Sequence, residues 1–103
     1  MRSFENVTVQ AKSNIYFDGK CVSHNLLLAD GSKKSVGVIF PSSLTFNTGA
    51  PEIMDIVAGT CRVRLAGASE WTTYSGGQQF SIAGNSSFDI ETIETVDYIC
   101  HFG

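Results

Sequence analysis

Three polar side chains occupy positions at which they could bind a polar ligand. Thr45 and Asn47 alternate with the apolar residues of one segment, and Glu52 opens the next apolar segment. A carboxylate accepts hydrogen bonds and stabilises a developing positive charge, whereas a hydroxyl or an amide can also donate. Alternate residues of a strand share a face, so Thr45 and Asn47 either face solvent together or line a pocket inside a barrel.

Short β-strands must position these residues. Runs of alternating apolar and polar residues recur along the chain and end at turn sequences such as Asp18-Gly19 and Asp30-Gly31. Ten glycines punctuate the chain, and no apolar pattern at helical spacing persists over the length of a helix. Strands with this spacing are typical of an all-β sandwich or barrel.

The composition disfavours several classes of protein. The chain has 103 residues, of which 43% are hydrophobic and 17% charged, so it is expected to fold as one domain. Its formal net charge is -3 and its pI is about 5.1. Nucleic acids and anionic membrane surfaces bind basic faces, so neither is expected as a partner.

The cysteines and the N-terminus bear on cellular location. Cys21, Cys61 and Cys100 are odd in number and far apart in sequence, which predicts three reduced thiols rather than disulfides or a zinc site. No apolar run approaches the roughly 18 residues of a membrane-spanning helix. The N-terminus lacks the apolar segment of a signal peptide, so a cytoplasmic protein is expected.

The spacing around Glu52 resembles the first motif of the cupins, G-x5-H-x-H-x4-E-x6-G. Glu52 matches the motif glutamate, and Gly59 matches its closing glycine. Thr45 and Asn47 stand where the two metal-binding histidines belong. The second cupin motif is matched loosely by Gly77 and residues 80–84, without its histidine. The resemblance implies a single cupin-type β-barrel, or jelly roll, that lacks metal ligands.

A longer ordered set of residues covers about residues 14–102. Its members are Tyr16 to Lys20, Ser35 to Val38, Phe46 to Thr48, Glu52, Met54, Gly59, Trp71, Tyr74, Gly77, Phe80, Ser87, Phe88 and Tyr98 to Cys100. This set is similar to one family, the small cupin pyrimidine/purine nucleoside phosphorylases. Ala83-Gly84 departs from the proline-containing turn expected there. Residues 1–13 are interpreted as an N-terminal extension that forms a strand, and residues 14–103 as the cupin domain.

The resemblance implies phosphorolysis of purine and pyrimidine nucleosides to a free base and α-D-ribose 1-phosphate. It implies a homodimer that takes inorganic phosphate as co-substrate and needs no metal or organic cofactor. Glu52 is the candidate catalytic residue, since a carboxylate could accept hydrogen bonds from ribose and favour an oxocarbenium-like transition state. The candidate substrate-binding residues are Thr45, Asn47, Phe46, Phe88, Tyr98 and Tyr74, the aromatic ones by stacking on the base.

Several alternatives stay open at this point. The chain could be a non-catalytic cupin that binds a sugar or a nucleoside. A metal-dependent cupin enzyme is disfavoured, because first-row metal sites in this fold require several histidines. Glu52 could be a solvated strand end, and the aromatic residues could belong to the core. Basic residues could bind phosphate, but surface positions are the simpler expectation for Arg62, Arg64, Lys33 and Lys34.

Overall fold

A computed structural model describes residues 2–102 as an all-β protein, which confirms the predicted fold class. The described residues include no helix that is long and apolar enough to cross a membrane. A single 3₁₀ turn at Phe17–Gly19 lies among the strands. The strands are β1 (Thr8–Val9), β2 (Asn14–Tyr16), β3 (Cys21–Leu27), β4 (Lys33–Ile39), β5 (Ser42–Asn47), β6 (Glu52–Ala58), β7 (Thr60–Leu65), β8 (Thr72–Ser75), β9 (Gln79–Ile82), β10 (Ser87–Thr92) and β11 (Val96–Phe102).

The strands form two antiparallel sheets. The larger sheet has the order β1-β3-β4-β11-β6-β9, with β2 also paired to β3. The smaller sheet has the order β5-β10-β7-β8. Within residues 2–102, no strand of one sheet pairs with a strand of the other, so the barrel is not closed by backbone hydrogen bonds. From β4 to β11 the chain passes back and forth between the sheets, which brings residues distant in sequence into one interior.

The core lies between the two sheets and is built by strand alternation. On β6, Met54 and Ile56 face the interior, and on β10, Phe88 and Ile90 do so. Burying one such aliphatic or aromatic side chain stabilises the fold by roughly 1.5–3 kcal/mol, so these alternating positions fix the register of each strand. The side chains buried most completely are Ile39, Ile56, Ile90, Val96 and Cys21.

The connection between β6 and β7 requires glycine. Gly59 adopts a φ of +87°, and a Cβ at this position would lie 2.5 Å from the carbonyl oxygen of Thr95. A residue with a side chain would therefore be strained both by its backbone conformation and by this contact. This geometry gives a physical reason for the glycine that closes the cupin-like motif.

A charged cluster covers part of the outer face of the larger sheet. Asp55 on β6 lies between inward-facing neighbours and therefore points outward. Arg2 donates two hydrogen bonds to its carboxylate, at 2.6 and 2.5 Å, and His101 Nε2 lies 3.3 Å from Asp55 Oδ2. The Arg2 hydrogen bonds are the main reason why the pKa of Asp55 is lowered, with a smaller contribution from His101. The ion pair fastens the segment before β1 to this sheet.

The predicted N-terminal extension includes strand β1. Thr8 and Val9 pair with Leu27 and Leu26 of β3 at the edge of the larger sheet. Met1 lies outside the described residues. The division of the chain at residue 13 stays a prediction.

Candidate active site

A cavity of about 120 Å³ opens between the two sheets. The larger sheet contributes most of the polar lining residues, and the smaller sheet contributes the stacked rings of Phe46 and Phe88. None of the described residues that line it is a lysine or an arginine. The lining residues are Tyr16, Ser23, Ser35, Ile39, Phe46, Asn47, Glu52, Met54, Phe88, Tyr98, Cys100 and Phe102.

Glu52 brings a carboxylate to this cavity from the first residue of β6. It is partly buried, and the thiol of Cys100 on the neighbouring strand donates a hydrogen bond to Glu52 Oε1 with a sulfur–oxygen distance of 3.5 Å. Burial raises the pKa of Glu52 above its ordinary value, and the Cys100 hydrogen bond opposes that shift. Asp55, three residues later, has its pKa lowered because it faces Arg2. Of these two carboxyl groups on one strand, the one that faces the cavity is Glu52, which forms no ion pair with a described residue.

The polar side of the cavity continues from Glu52 to Tyr98. The Tyr98 hydroxyl is buried 3.4 Å from the Cys21 sulfur, and burial raises the pKa of Tyr98, so it stays a phenol. Tyr98 pairs with Gly37 across the sheet, and Gly37 pairs with Ser23. A Cβ on Gly37 would lie 2.9 Å from the Tyr98 hydroxyl oxygen, so glycine leaves room for that hydroxyl. The phenol can therefore donate or accept a hydrogen bond within the site.

The aromatic side of the cavity is a stack of rings. Phe46 and Phe88 on neighbouring strands lie with ring centroids 5.5 Å apart and planes inclined by 20°. Tyr16 and Phe17 meet Phe46 edge-on, at 6.2 and 5.2 Å. Phe17 and Asp18 both adopt left-handed backbone conformations, with φ of 53° and 55°, which turn the chain at this point. Flat apolar surfaces of this kind bind different nucleobases by stacking.

The structure brings five of the predicted site residues to one cavity. Each of them lines it, and Asn47 does so from the exposed end of β5. Their roles in catalysis and binding stay predictions. They are Glu52, Asn47, Phe46, Phe88 and Tyr98.

Thr45 and Tyr74 lie elsewhere. Leu44 and Phe46 face the interior, so Thr45 between them faces outward, where its hydroxyl donates to Asp89 Oδ1 at 2.7 Å. Tyr74 packs against the ring of Phe80, with centroids 4.8 Å apart, and is not among the residues that line the cavity. A role in substrate binding stays a prediction for both, and the geometry gives it no support.

The lining includes residues that the sequence patterns did not single out as site residues. Cys100 could have been found, because it shares a strand face with Tyr98 at the next alternate position. Ser23 and Ser35 are buried in the structure, but both stand in strands that carry other polar residues, so the sequence gives no signal that sets them apart. Tyr16 belongs to Tyr16 to Lys20, the first segment of the family resemblance. No sequence pattern predicts that it lies at a cavity.

The donor set does not fit a metal site of the cupin type. Thr45 and Asn47 occupy the positions of the motif histidines, and Thr45 faces away from the cavity. Among residues 2–102, no three His, Cys, Asp or Glu side chains are grouped as metal ligands would be.

Arg62 and Arg64 lie on the outer face of the smaller sheet, where both guanidinium groups flank Trp71 at 4.4 and 4.7 Å.

Solved structures with the same fold confirm the cupin-type architecture. Ectoine synthase from P. lautus superposes with a TM-score of 0.69 at 17% identity, covering 82% of this chain and 64% of that one. A protein of unknown function from Acinetobacter sp. ADP1 superposes with a TM-score of 0.96 at 48% identity, covering 98% of each chain. The first likeness concerns the fold alone, whereas the second extends to the sequence.

Comparison of sequences identifies the family. The profile of the pyrimidine/purine nucleoside phosphorylase family matches residues 11–102. A protein of that name from Cupriavidus metallidurans is 68% identical over 103 residues, which cover all of both chains. Another of the same name, from Cupriavidus necator, is 70% identical over 99 residues, covering 96% of this chain and 94% of that one. The chain therefore belongs to the pyrimidine/purine nucleoside phosphorylase family.

Proposed function

We propose that this protein is a nucleoside phosphorylase of broad specificity, which converts purine and pyrimidine nucleosides and inorganic phosphate to free base and α-D-ribose 1-phosphate. The observation that carries the proposal is Glu52, a partly buried carboxylate with no cationic partner among residues 2–102, beside a cavity with one polar and one aromatic side. The names of the relatives that are about 70% identical support the same activity.

In this reaction a phosphate oxygen forms a bond to the anomeric carbon of the ribose. The bond from that carbon to the base nitrogen breaks, and its electron pair leaves with the base, which takes up a proton. Positive charge develops on the sugar while the old bond weakens. The Glu52 carboxylate would accept hydrogen bonds from ribose hydroxyls and stabilise that charge, and the phenol of Tyr98 would hold the sugar from the polar side.

Broad base specificity follows from how the base would be held. The partly exposed ring of Phe46, which is backed by the buried ring of Phe88, would offer apolar contact to any base, because every base has a π-face. Of the described lining residues, Asn47 alone carries an amide that could recognise the edge of a base. A site that holds the base mainly by its face tolerates both purines and pyrimidines.

We expect the reaction to need no metal ion and no organic cofactor. The chain's own carboxylate and hydroxyl groups would supply the stabilisation that the pentosyl transfer requires. The motif positions that hold metal ligands in other cupins carry Thr45 and Asn47 here, which supports this part of the proposal.

Purified protein is expected to release free base from both uridine and inosine when inorganic phosphate is present. Omitting phosphate should abolish the release, and prior treatment with EDTA should leave it unchanged. The appearance of base is measured by liquid chromatography, and ribose 1-phosphate by its phosphorus NMR signal. Binding of uridine without any release of base would instead identify a non-catalytic nucleoside-binding cupin and would refute the proposal.

We also propose that the protein is a homodimer, as the family resemblance implies. The outer face of the larger sheet exposes a hollow lined by Val22, Val36, Val38 and Val57, which a second copy of this chain could cover. Light scattering after gel filtration is expected to give twice the chain mass of 11.1 kDa. A mass equal to that of one chain would contradict the dimer and leave the catalytic proposal untouched.

A further inference from the structure

We propose that Cys100 is a positioning residue for Glu52, whose thiol holds one carboxylate oxygen in place and leaves the other free for the substrate. The inference rests on the proposed function, because it assigns Cys100 a part in the same reaction. It concerns a buried thiol that does not itself contact the reacting atoms.

The register of the larger sheet sets this contact. Cys100 of β11 pairs with Met54 of β6, and Phe102 pairs with Glu52, so Cys100 and Glu52 are diagonal neighbours on the inner face. The Cys100 sulfur lies 3.5 Å from Glu52 Oε1. An ionised carboxylate has no proton to give, so the thiol is the donor.

This thiol is the side chain that orients the carboxylate. Among residues 2–102, no other side chain donates a hydrogen bond to Glu52, and no lysine or arginine forms an ion pair with it. Asp55 on the other face of the same strand is held by Arg2 and His101. A carboxylate with one weak donor keeps its negative charge unneutralised but has a defined direction, as a group that must face a developing cation requires.

Ser35 is the polar neighbour of the thiol on the other side. It pairs with Cys100 across β4 and β11 and is 5% exposed. Cys100 is 4% exposed. Burial, together with the nearby charge of Glu52, raises the pKa of Cys100, so it stays a thiol and acts as a donor rather than as a nucleophile.

The titratable groups around Glu52 allow its ionisation to be followed. Cys100 and Tyr98 on β11 and Cys21 on β3 share its interior face, and burial raises the pKa of each of them. All three are therefore neutral at acidic pH. Asp55, His101 and Lys34 lie on the opposite face of the sheet. Inorganic phosphate titrates identically with every variant, so a difference in the acid limb between variants is expected to report protonation of Glu52.

The test compares Cys100→Ala and Cys100→Ser with Cys61→Ala. Cys61 is a matched control, because it is 3% exposed and lies in the smaller sheet outside the cavity lining. Without its donor, the Glu52 carboxylate is less stabilised, so Cys100→Ala should move the acid limb of kcat/KM for uridine to higher pH. It should also lower kcat about fivefold, which is the usual effect of one modest hydrogen bond. Cys100→Ser keeps a donor and should restore most of kcat, whereas Cys61→Ala should leave the acid limb in place.

A direct titration separates this inference from the proposed function. The Glu52 carboxyl carbon is followed by carbon NMR in the wild-type protein and in Cys100→Ala, without substrate. A higher pKa of Glu52 in Cys100→Ala supports the contact even if the wild-type protein proves inactive on nucleosides. An unchanged Glu52 titration, or an acid limb that moves equally in Cys61→Ala, would overturn the inference.

Discussion

Replacing Glu52 with glutamine is expected to lower kcat/KM for uridine phosphorolysis by about a thousandfold, the upper range for removing one stabilising group from a transition state. Glutamine keeps the size and the hydrogen-bonding atoms of the side chain but removes its negative charge. The charge is the part that the developing cation on the ribose requires. Steady-state rates over a range of uridine concentrations measure the effect.

The same substitution should not harm the fold. Because burial raises the pKa of Glu52, the folded protein binds its proton more tightly than the unfolded chain does. The stability associated with this group is therefore greatest at low pH and is lost as the pH rises through the folded-state pKa. At neutral pH, where Glu52 is ionised and costs stability, Glu52→Gln should unfold at the same temperature as the wild-type protein or at a higher one.

An exposed glutamate provides the matched control for this experiment. Glu94 lies in the turn between β10 and β11, on the surface and outside the cavity lining. Glu94→Gln removes the same charge and should keep full activity. If Glu52→Gln retained more than a tenth of the wild-type kcat/KM, Glu52 would be a solvated strand end and not the catalytic carboxylate.

Replacing Gly37 with alanine is expected to destabilise the fold by about 3 kcal/mol, the upper part of the range for overpacking a core. The added Cβ would lie 2.6 Å from the carbonyl oxygen of Val22 and 2.8 Å from Ser23 Cβ. Gly37 lies on β4, which is paired on both sides in the larger sheet, so the backbone atoms around it cannot move aside at little cost. For a domain of this size the loss corresponds to a fall in Tm of about 15 °C.

This substitution should also damage the site, because the same Cβ would lie 2.9 Å from the Tyr98 hydroxyl oxygen. We therefore expect Gly37→Ala to have less than a tenth of wild-type activity at a temperature where it is still folded. Thermal unfolding by circular dichroism gives the stability, and the uridine assay gives the activity.

Gly49→Ala is the control for backbone stiffening without a clash. A Cβ added to Gly49 would meet no heavy atom of residues 2–102 within 4 Å, and Gly49 does not adopt a positive φ, so alanine fits there. Its Tm should stay within a few degrees of the wild-type value. A Gly37→Ala protein as stable as Gly49→Ala would show that the sheet yields around residue 37 and that the close packing of Tyr98 is not required.

Alternation of apolar and polar residues predicted the strands, whereas the candidate site residues came from the motif spacing and the family resemblance. Alternation placed Leu44 and Phe46 on one face of β5 but did not decide which face turns inward. In the structure, Leu44 and Phe46 face the interior. Asn47 shares the outward face of Thr45 by the same rule. It nevertheless reaches the cavity because the strand ends there, and alternation does not describe the position of a side chain at a strand end.

The contact between Glu52 and Cys100 could not be derived from alternation. It depends on the register of β6 against β11, and the two residues are 48 positions apart in sequence. That register shifts at an irregularity between Asp97 and Tyr98, which no local pattern reveals. Tyr74 was assigned to the site because of its aromatic character, but a large ring packs as readily against the core, and Tyr74 packs against Phe80.

Strand β6 carries one carboxylate on each face, and among the described residues only the outer one is neutralised by a cation. Glu52 and Asp55 are three residues apart, about 10 Å along an extended chain, which is close to one Debye length at physiological salt. An uncompensated Asp55 would repel the negative charge of Glu52 and any phosphate that approached it. Arg2 cancels that charge on the solvent side, so the field inside the cavity is set mainly by Glu52. Arg2 thus affects the electrostatic potential of a cavity that it does not line, because it neutralises the charge of Asp55.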